Sequence, residues 1–178
     1  MTARATSLKS NEPYDRTPLF GKRVQQPYYW RVVVCGSMSF FREMIEVQEL
    51  LAASDVSCII PDSDDHWPSK RTVQLELVLK RKASLAHIRK IRDPKTFGIL
   101  VLNHDKYGVR DYIGANSFAE IAVAVVAGKR VYLAGGIPDA YRDELNAWGA
   151  IALNGNIEQL KYNYRLRCQQ DALQLELF

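Results

Sequence analysis

Three unbroken apolar runs constrain this chain more than anything else in it: Val32-Val-Val34, Phe97-Gly-Ile-Leu-Val-Leu102 and Val131-Tyr-Leu133. A strand with one face in water alternates apolar and polar residues. A strand apolar throughout is covered on both faces, as a central strand of a parallel sheet is. Read in order, the chain gives a strand from Tyr28 to Cys35, a helix over about 40–53, and a strand from Val56 to Ile60 that Pro61 ends. A helix from Thr72 to Arg92 and a strand from Phe97 to Leu102 follow. After an Ala/Val-rich helix closed by Gly128 come a strand Val131 to Leu133, a helix Asp139 to Trp148, a strand Ala150 to Leu153 and a helix Ile157 to about Leu175. Strands alternating with helices predict an α/β fold, a single-domain three-layer sandwich around a five-stranded parallel sheet. The flavodoxin-like (Rossmann-like) strand order 2-1-3-4-5 suits it.

At 178 residues the chain fits one domain with a sizeable core. Residues 1–27 are polar, carry Pro13, Pro18 and Pro27, and lack periodicity, so they read as a flexible arm before a domain over 28–178. The net charge is +4, but residues 1–28 hold five Lys/Arg and two acids, leaving only +1 for the rest. The basic balance therefore comes from the arm, and nucleic acid is not the expected partner. The basic stretch of the second long helix (Lys80, Arg81, Lys82, Arg89, Lys90 and Arg92) reads as a solvated face, with phosphate contact as the alternative.

No run of about 18 apolar residues is present, and the N-terminus has no apolar secretory core, so a cytoplasmic protein without a membrane span is expected. Cys35, Cys58 and Cys168 are widely spaced and read as cytosolic thiols. His66, His87 and His104 stand apart in sequence, so neither a metal nor another cofactor is expected. The acidic loop Asp62-Ser-Asp-Asp-His-Trp-Pro68 is a solvated connection or a cation site. Its Trp67 either packs on its own domain or acts as a lid.

Two stretches carry chemistry. In Cys35-Gly-Ser-Met-Ser39, the first strand meets a helix start. Gly36 allows close backbone approach, Ser37 or Ser39 can cap, and free amides there favour a phosphate or a sugar hydroxyl. In Tyr112-Ile-Gly-Ala-Asn-Ser-Phe-Ala-Glu120, the turn-favouring Gly114, Asn116 and Ser117 open the Ala/Val-rich helix and place Glu120 in its first turn. There Glu120 is either a nucleophile or base, or the return arm of a Ser117-x-x-Glu120 capping box. Asn103-His-Asp105 lies beyond the third strand, where ligands of open α/β sheets bind. His104, Asp105 and Asp111 are candidates for proton transfer or plain loop residues.

Cys35-Gly-Ser37, Asn103-His-Asp105 and Tyr112 to Glu120 followed by Gly128-Lys-Arg-Val-Tyr-Leu133, in that order, resemble the nucleoside 2-deoxyribosyltransferase-like superfamily over roughly residues 29–160. That group includes transferases that exchange bases on deoxynucleosides and hydrolases that cleave nucleoside 5′-monophosphates. The resemblance implies that Glu120 is the nucleophile. It also implies that the Gly36-Ser37 turn and the loop before Glu120, with Gly114, Asn116 and Ser117, line the sugar and phosphate site; Cys35, Met38, His87, Asn103 and His104 are the further substrate-binding candidates. Many members carry an Asp on the second helix where this chain has His87-Ile-Arg-Lys-Ile91, and the Asp that often opens the next strand is replaced near Phe97.

Cleavage of an N-glycosidic bond builds oxocarbenium character at C1′, which a carboxylate beneath it stabilises or traps as a covalent glycosyl-enzyme. The leaving base needs a proton, for which Asp105, His104 or Asp111 are available. The implied partners are a small nucleoside or nucleotide and further copies of the chain, with Tyr162, Tyr164, Leu166 and Leu173 of the terminal helix as apolar contact surface. Two other readings remain. One is a non-catalytic nucleotide-binding module. The other is a phosphoribohydrolase of the cytokinin-activating type, whose Pro-Gly-Gly-x-Gly-Thr-x-x-Glu motif is similar to Gly114-x-Asn-Ser117-x-x-Glu120 but whose Pro-Gly-Gly this chain lacks.

Overall fold

A computed structural model describes residues 30–63 and 68–175. The arm expected over 1–27, residues Tyr28 and Tyr29 of the first expected strand, and His66 and Trp67 of the acidic loop lie outside the described residues. The strands are β1 (Arg31–Gly36), β2 (Cys58–Ile59), β3 (Thr96–Leu102), β4 (Arg130–Leu133) and β5 (Ile151–Ala152). The helices are α1 (Phe41–Ala52), α2 (Val73–Arg92), α3 (Ala115–Val126), α4 (Arg142–Ala147) and α5 (Glu158–Leu175). Single 3-10 turns, Met38–Phe40 and Asp139–Tyr141, lead into α1 and α4. All strands pair in parallel in the order β2-β1-β3-β4-β5. The expected five-stranded, flavodoxin-like three-layer α/β sandwich is therefore present. The two edge strands are shorter than the sequence suggested because their register with β1 and β4 spans only two residue pairs each.

The apolar runs are central as their composition requires. Every residue of β3 is buried, and Val32 to Cys35 of β1 are fully so. Successive side chains of a strand point to opposite faces. Val32 and Val34 thus join Met44, Leu51, Leu160 and Tyr164 on the side covered by α1 and α5. Val33 and Cys35 join Ile91, Ile121 and Leu145 on the side covered by α2, α3 and α4. Tyr164 belongs to that first core, at 3% exposed, which corrects its place in the expected contact surface; Tyr162, Leu166 and Leu173 are exposed. The tyrosine at 164 faces inward because Leu160 and Cys168, one turn away on either side, are buried too.

The third helix departs from its sequence reading. It begins at Ala115, with Gly114 as N-cap and no side-chain cap. Ser117 lies inside the helix and is buried, so it does not form a capping box with Glu120. Glu120 is the sixth helical residue and sits in the second turn. By contrast, Ser37 does cap its turn, accepting from the Ser39 amide, and Thr72 caps α2 by accepting from the Leu75 amide.

Candidate functional site

A cavity of about 530 Å³ opens beyond the C-terminal ends of β1 and β3. These neighbouring strands run on to opposite sides of the sheet, which is where ligands of doubly wound folds bind. Its size is that of a small-molecule site. One wall is the turn after β1, Gly36, Ser37 and Met38. Opposite stands the start of α3, with Gly114, Asn116, Ser117 and Glu120, preceded by Tyr112. A third side comes from α2, where Lys80, Ser84 and His87 recur at helical spacing on one face. Pro61 and Asp62 close the rim.

The fold explains why these parts meet. Cys35 points to the α2–α3 side of the sheet by strand alternation, directly beneath the cavity. Its Sγ lies 3.6 Å from His87 Nε2, and that nitrogen lies 3.9 Å from Glu120 Oε1. Burial pushes the Glu120 carboxyl up to about 7, partly offset by a hydrogen bond with Cys35. Burial, and secondarily Lys90, pushes His87 down to about 4. Burial and the nearby Glu120 raise the Cys35 thiol well above its usual range. The His87–Glu120 contact is therefore not an ion pair near neutrality, since His87 has lost its proton before Glu120 ionises. Glu120 lies beyond the first turn of α3, so desolvation rather than the helix N-terminus dominates its titration.

Other expected site residues stand elsewhere. Asn103 is fully buried; its Oδ1 accepts from the Gly135 amide and its Nδ2 donates to the Gly136 carbonyl, both at 2.8 Å. Asp111 accepts from the Gly136 amide at 2.7 Å, and Asp105 accepts from the Asp111 amide at 2.9 Å. His104 is exposed, with its ring edge-on to Phe40. None of these four, nor Cys35, lines the cavity. Gly36 faces it, yet its glycine requirement comes from behind. With φ +152°, a Cβ there would meet Leu102 O at 3.0 Å and Met44 Cε at 3.1 Å. The space a side chain would claim is core, not ligand space.

Sequence reasoning missed Tyr112 and Ser84 as lining residues of the cavity, and Lys106 as the partner of Ser37. The Lys80–Ser84–His87 spacing of four and three was a readable signal for α2. Lys106, whose Nζ donates to Ser37 Oγ at 2.8 Å, had none, because only the adjacency of β1 and β3 brings it there.

The isolation of His87 in sequence likewise disappears in the fold. Cys35, His87 and Glu120 place three potential ligand atoms within 4.8 Å of one another. Among the described residues, no helix is long and apolar enough to cross a membrane.

No family model matches the chain, and no curated protein matches it significantly. Among solved structures it is similar to a 2-deoxyribosyltransferase from the psychrotolerant bacterium Bacillus psychrosaccharolyticus, described as a biocatalyst for nucleoside synthesis. The identity is 12%, the match covers 64% of this chain and 80% of that one, and the TM-score is 0.44. The likeness is remote and concerns the fold alone.

Proposed function

We propose that the protein cleaves or transfers at the N-glycosidic bond of a (deoxy)nucleoside or nucleoside 5′-monophosphate, with Glu120 as nucleophile. The observation that carries the reading is a desolvated carboxyl group at the wall of a nucleoside-sized cavity, between His87 of α2 and Cys35 of β1. A Glu120 oxygen attacks C1′ and the C1′–N bond breaks. The base leaves with that electron pair and takes a proton from solvent on the open side of the cavity. Water or a second base then attacks C1′ and restores the carboxylate. Asp105 and Asp111 hold loop amides, which argues against the proton-donor role first considered for them.

Incubation with a panel of nucleosides and 5′-monophosphates, with and without free base, tests the reading by chromatography of released base. Wild type is expected to release base at a rate that climbs as pH passes about 7, where Glu120 ionises. Glu120→Gln is expected to lose at least about a thousandfold, the scale of a lost nucleophile. Bound nucleotide with no base release over hours would favour the non-catalytic binding module instead.

A further inference from the structure

We propose that Cys35, His87 and Glu120 form a zinc site with an open coordination position facing the cavity. The three residues come from three elements, β1, α2 and α3, and offer the S, N and O donors that zinc accepts. With metal–ligand bonds of about 2.0–2.3 Å, a tetrahedral centre holds its donors about 3.4–3.6 Å apart. The Cys35 Sγ to His87 Nε2 separation is 3.6 Å, and His87 Nε2 to Glu120 Oε1 is 3.9 Å. The first needs no change, and the second a contraction within reach of a carboxylate rotation. All three donor atoms already lie within 4.8 Å of one another. His87 and Glu120 line the cavity, which supplies both the route in and room for a water or an anionic group as fourth ligand.

Three protein ligands plus one exchangeable position is the pattern of an open zinc site rather than a closed structural one. Binding replaces the Cys35 thiol proton with the metal, and that proton, with any carried by Glu120, is released to buffer. Zinc engages the same carboxylate assigned above as nucleophile, so the loaded protein and glycosyl transfer exclude each other. The site itself does not depend on that assignment.

Calorimetric titration of metal-free, untagged full-length protein with Zn2+ in buffers of different ionisation enthalpy reads stoichiometry and proton release. Substitution with Co2+ reads the ligands. The expected result is one metal per chain, release of at least one proton, and a near-ultraviolet thiolate-to-cobalt band with intense visible bands of tetrahedral cobalt. Cys35→Ser should abolish the near-ultraviolet band, and His87→Gln should weaken Zn2+ binding about tenfold or more. Cys58→Ser and Cys168→Ser should keep both. A wild-type cobalt complex without a thiolate band would overturn the proposal with no variant required, as would a band that survives Cys35→Ser or disappears in Cys168→Ser.

Discussion

Burial favours the neutral forms of Glu120 and His87, against their solution chemistry. The Glu120 carboxyl titrates near 7 in place of 4.5, because burial penalises the anion. Its contribution to stability is complete below about 4.5 and is lost as pH rises through 7. His87 titrates near 4 in place of 6.5, because burial penalises the cation. Its contribution is complete above 6.5 and is lost as pH falls through 4. The two limbs leave the folded state best placed between them, at mildly acidic pH. Glu120→Gln removes the alkaline limb while keeping the shape of the side chain. The variant is expected to melt several degrees above wild type at pH 8.5, from a gain on the order of 3 kcal/mol, and to lose that advantage at pH 5. Melting curves at both pH values check this, and an equal shift at both would mean that Glu120 is not desolvated as the structure implies.

At the level of elements, the Gly135-Gly136 loop after β4 is held from β3 and its following loop, not by its own residues. Asn103 bridges it with both ends of its amide, and Asp111, itself fixed by Asp105, takes the Gly136 amide. Asn103→Ala leaves an amide and a carbonyl without these partners and is expected to cost about 2–3 kcal/mol. Denaturant unfolding reads it, and an unchanged midpoint would return Asn103 to the ligand-binding role that its position beyond β3 first suggested. The elements themselves were legible because strand burial and helix periodicity are local patterns. Val32 to Val34 and Phe97 to Leu102 could be central strands and little else. The start of α3 was misplaced because Ser117-x-x-Glu120 satisfies the capping rule in sequence, while only the packed helix shows Ser117 buried. The cavity's turn after β1 and its α3 residues were legible as turn and cap chemistry beyond strand ends. The Cys35–His87–Glu120 cluster was not, because its spacings of 52 and 33 residues reflect the crossover geometry of a parallel sheet.

The whole molecule sets two loops side by side by placing β3 against β1, and this adjacency bears on the choice of substrate. Register from Arg31 opposite Thr96 to Gly36 opposite Leu102 brings both strands to the same edge of the sheet. The loop after β3 then folds over the turn after β1. Lys106 sits against the rings of Tyr107, Tyr112 and Phe40 and donates to Ser37, at the edge of the cavity. A cation so fixed, a serine hydroxyl and the amides of a capped turn make a consistent set of contacts for a 5′-phosphate. If the substrate is a nucleoside 5′-monophosphate, it should bind more tightly than the matched nucleoside, and the difference should shrink as salt screens the charge. Lys106→Ala should reduce the monophosphate preference about tenfold, the scale of one hydrogen bond to a charged group, and leave nucleoside affinity nearly unchanged. This substitution separates the roles better than one at Gly36, where any side chain would first disturb Leu102 and Met44. Calorimetry on the four pairs of protein and ligand decides the matter. Equal affinities of wild type for nucleoside and monophosphate would assign the turn after β1 to the sugar, and Lys106 to the packing of its loop.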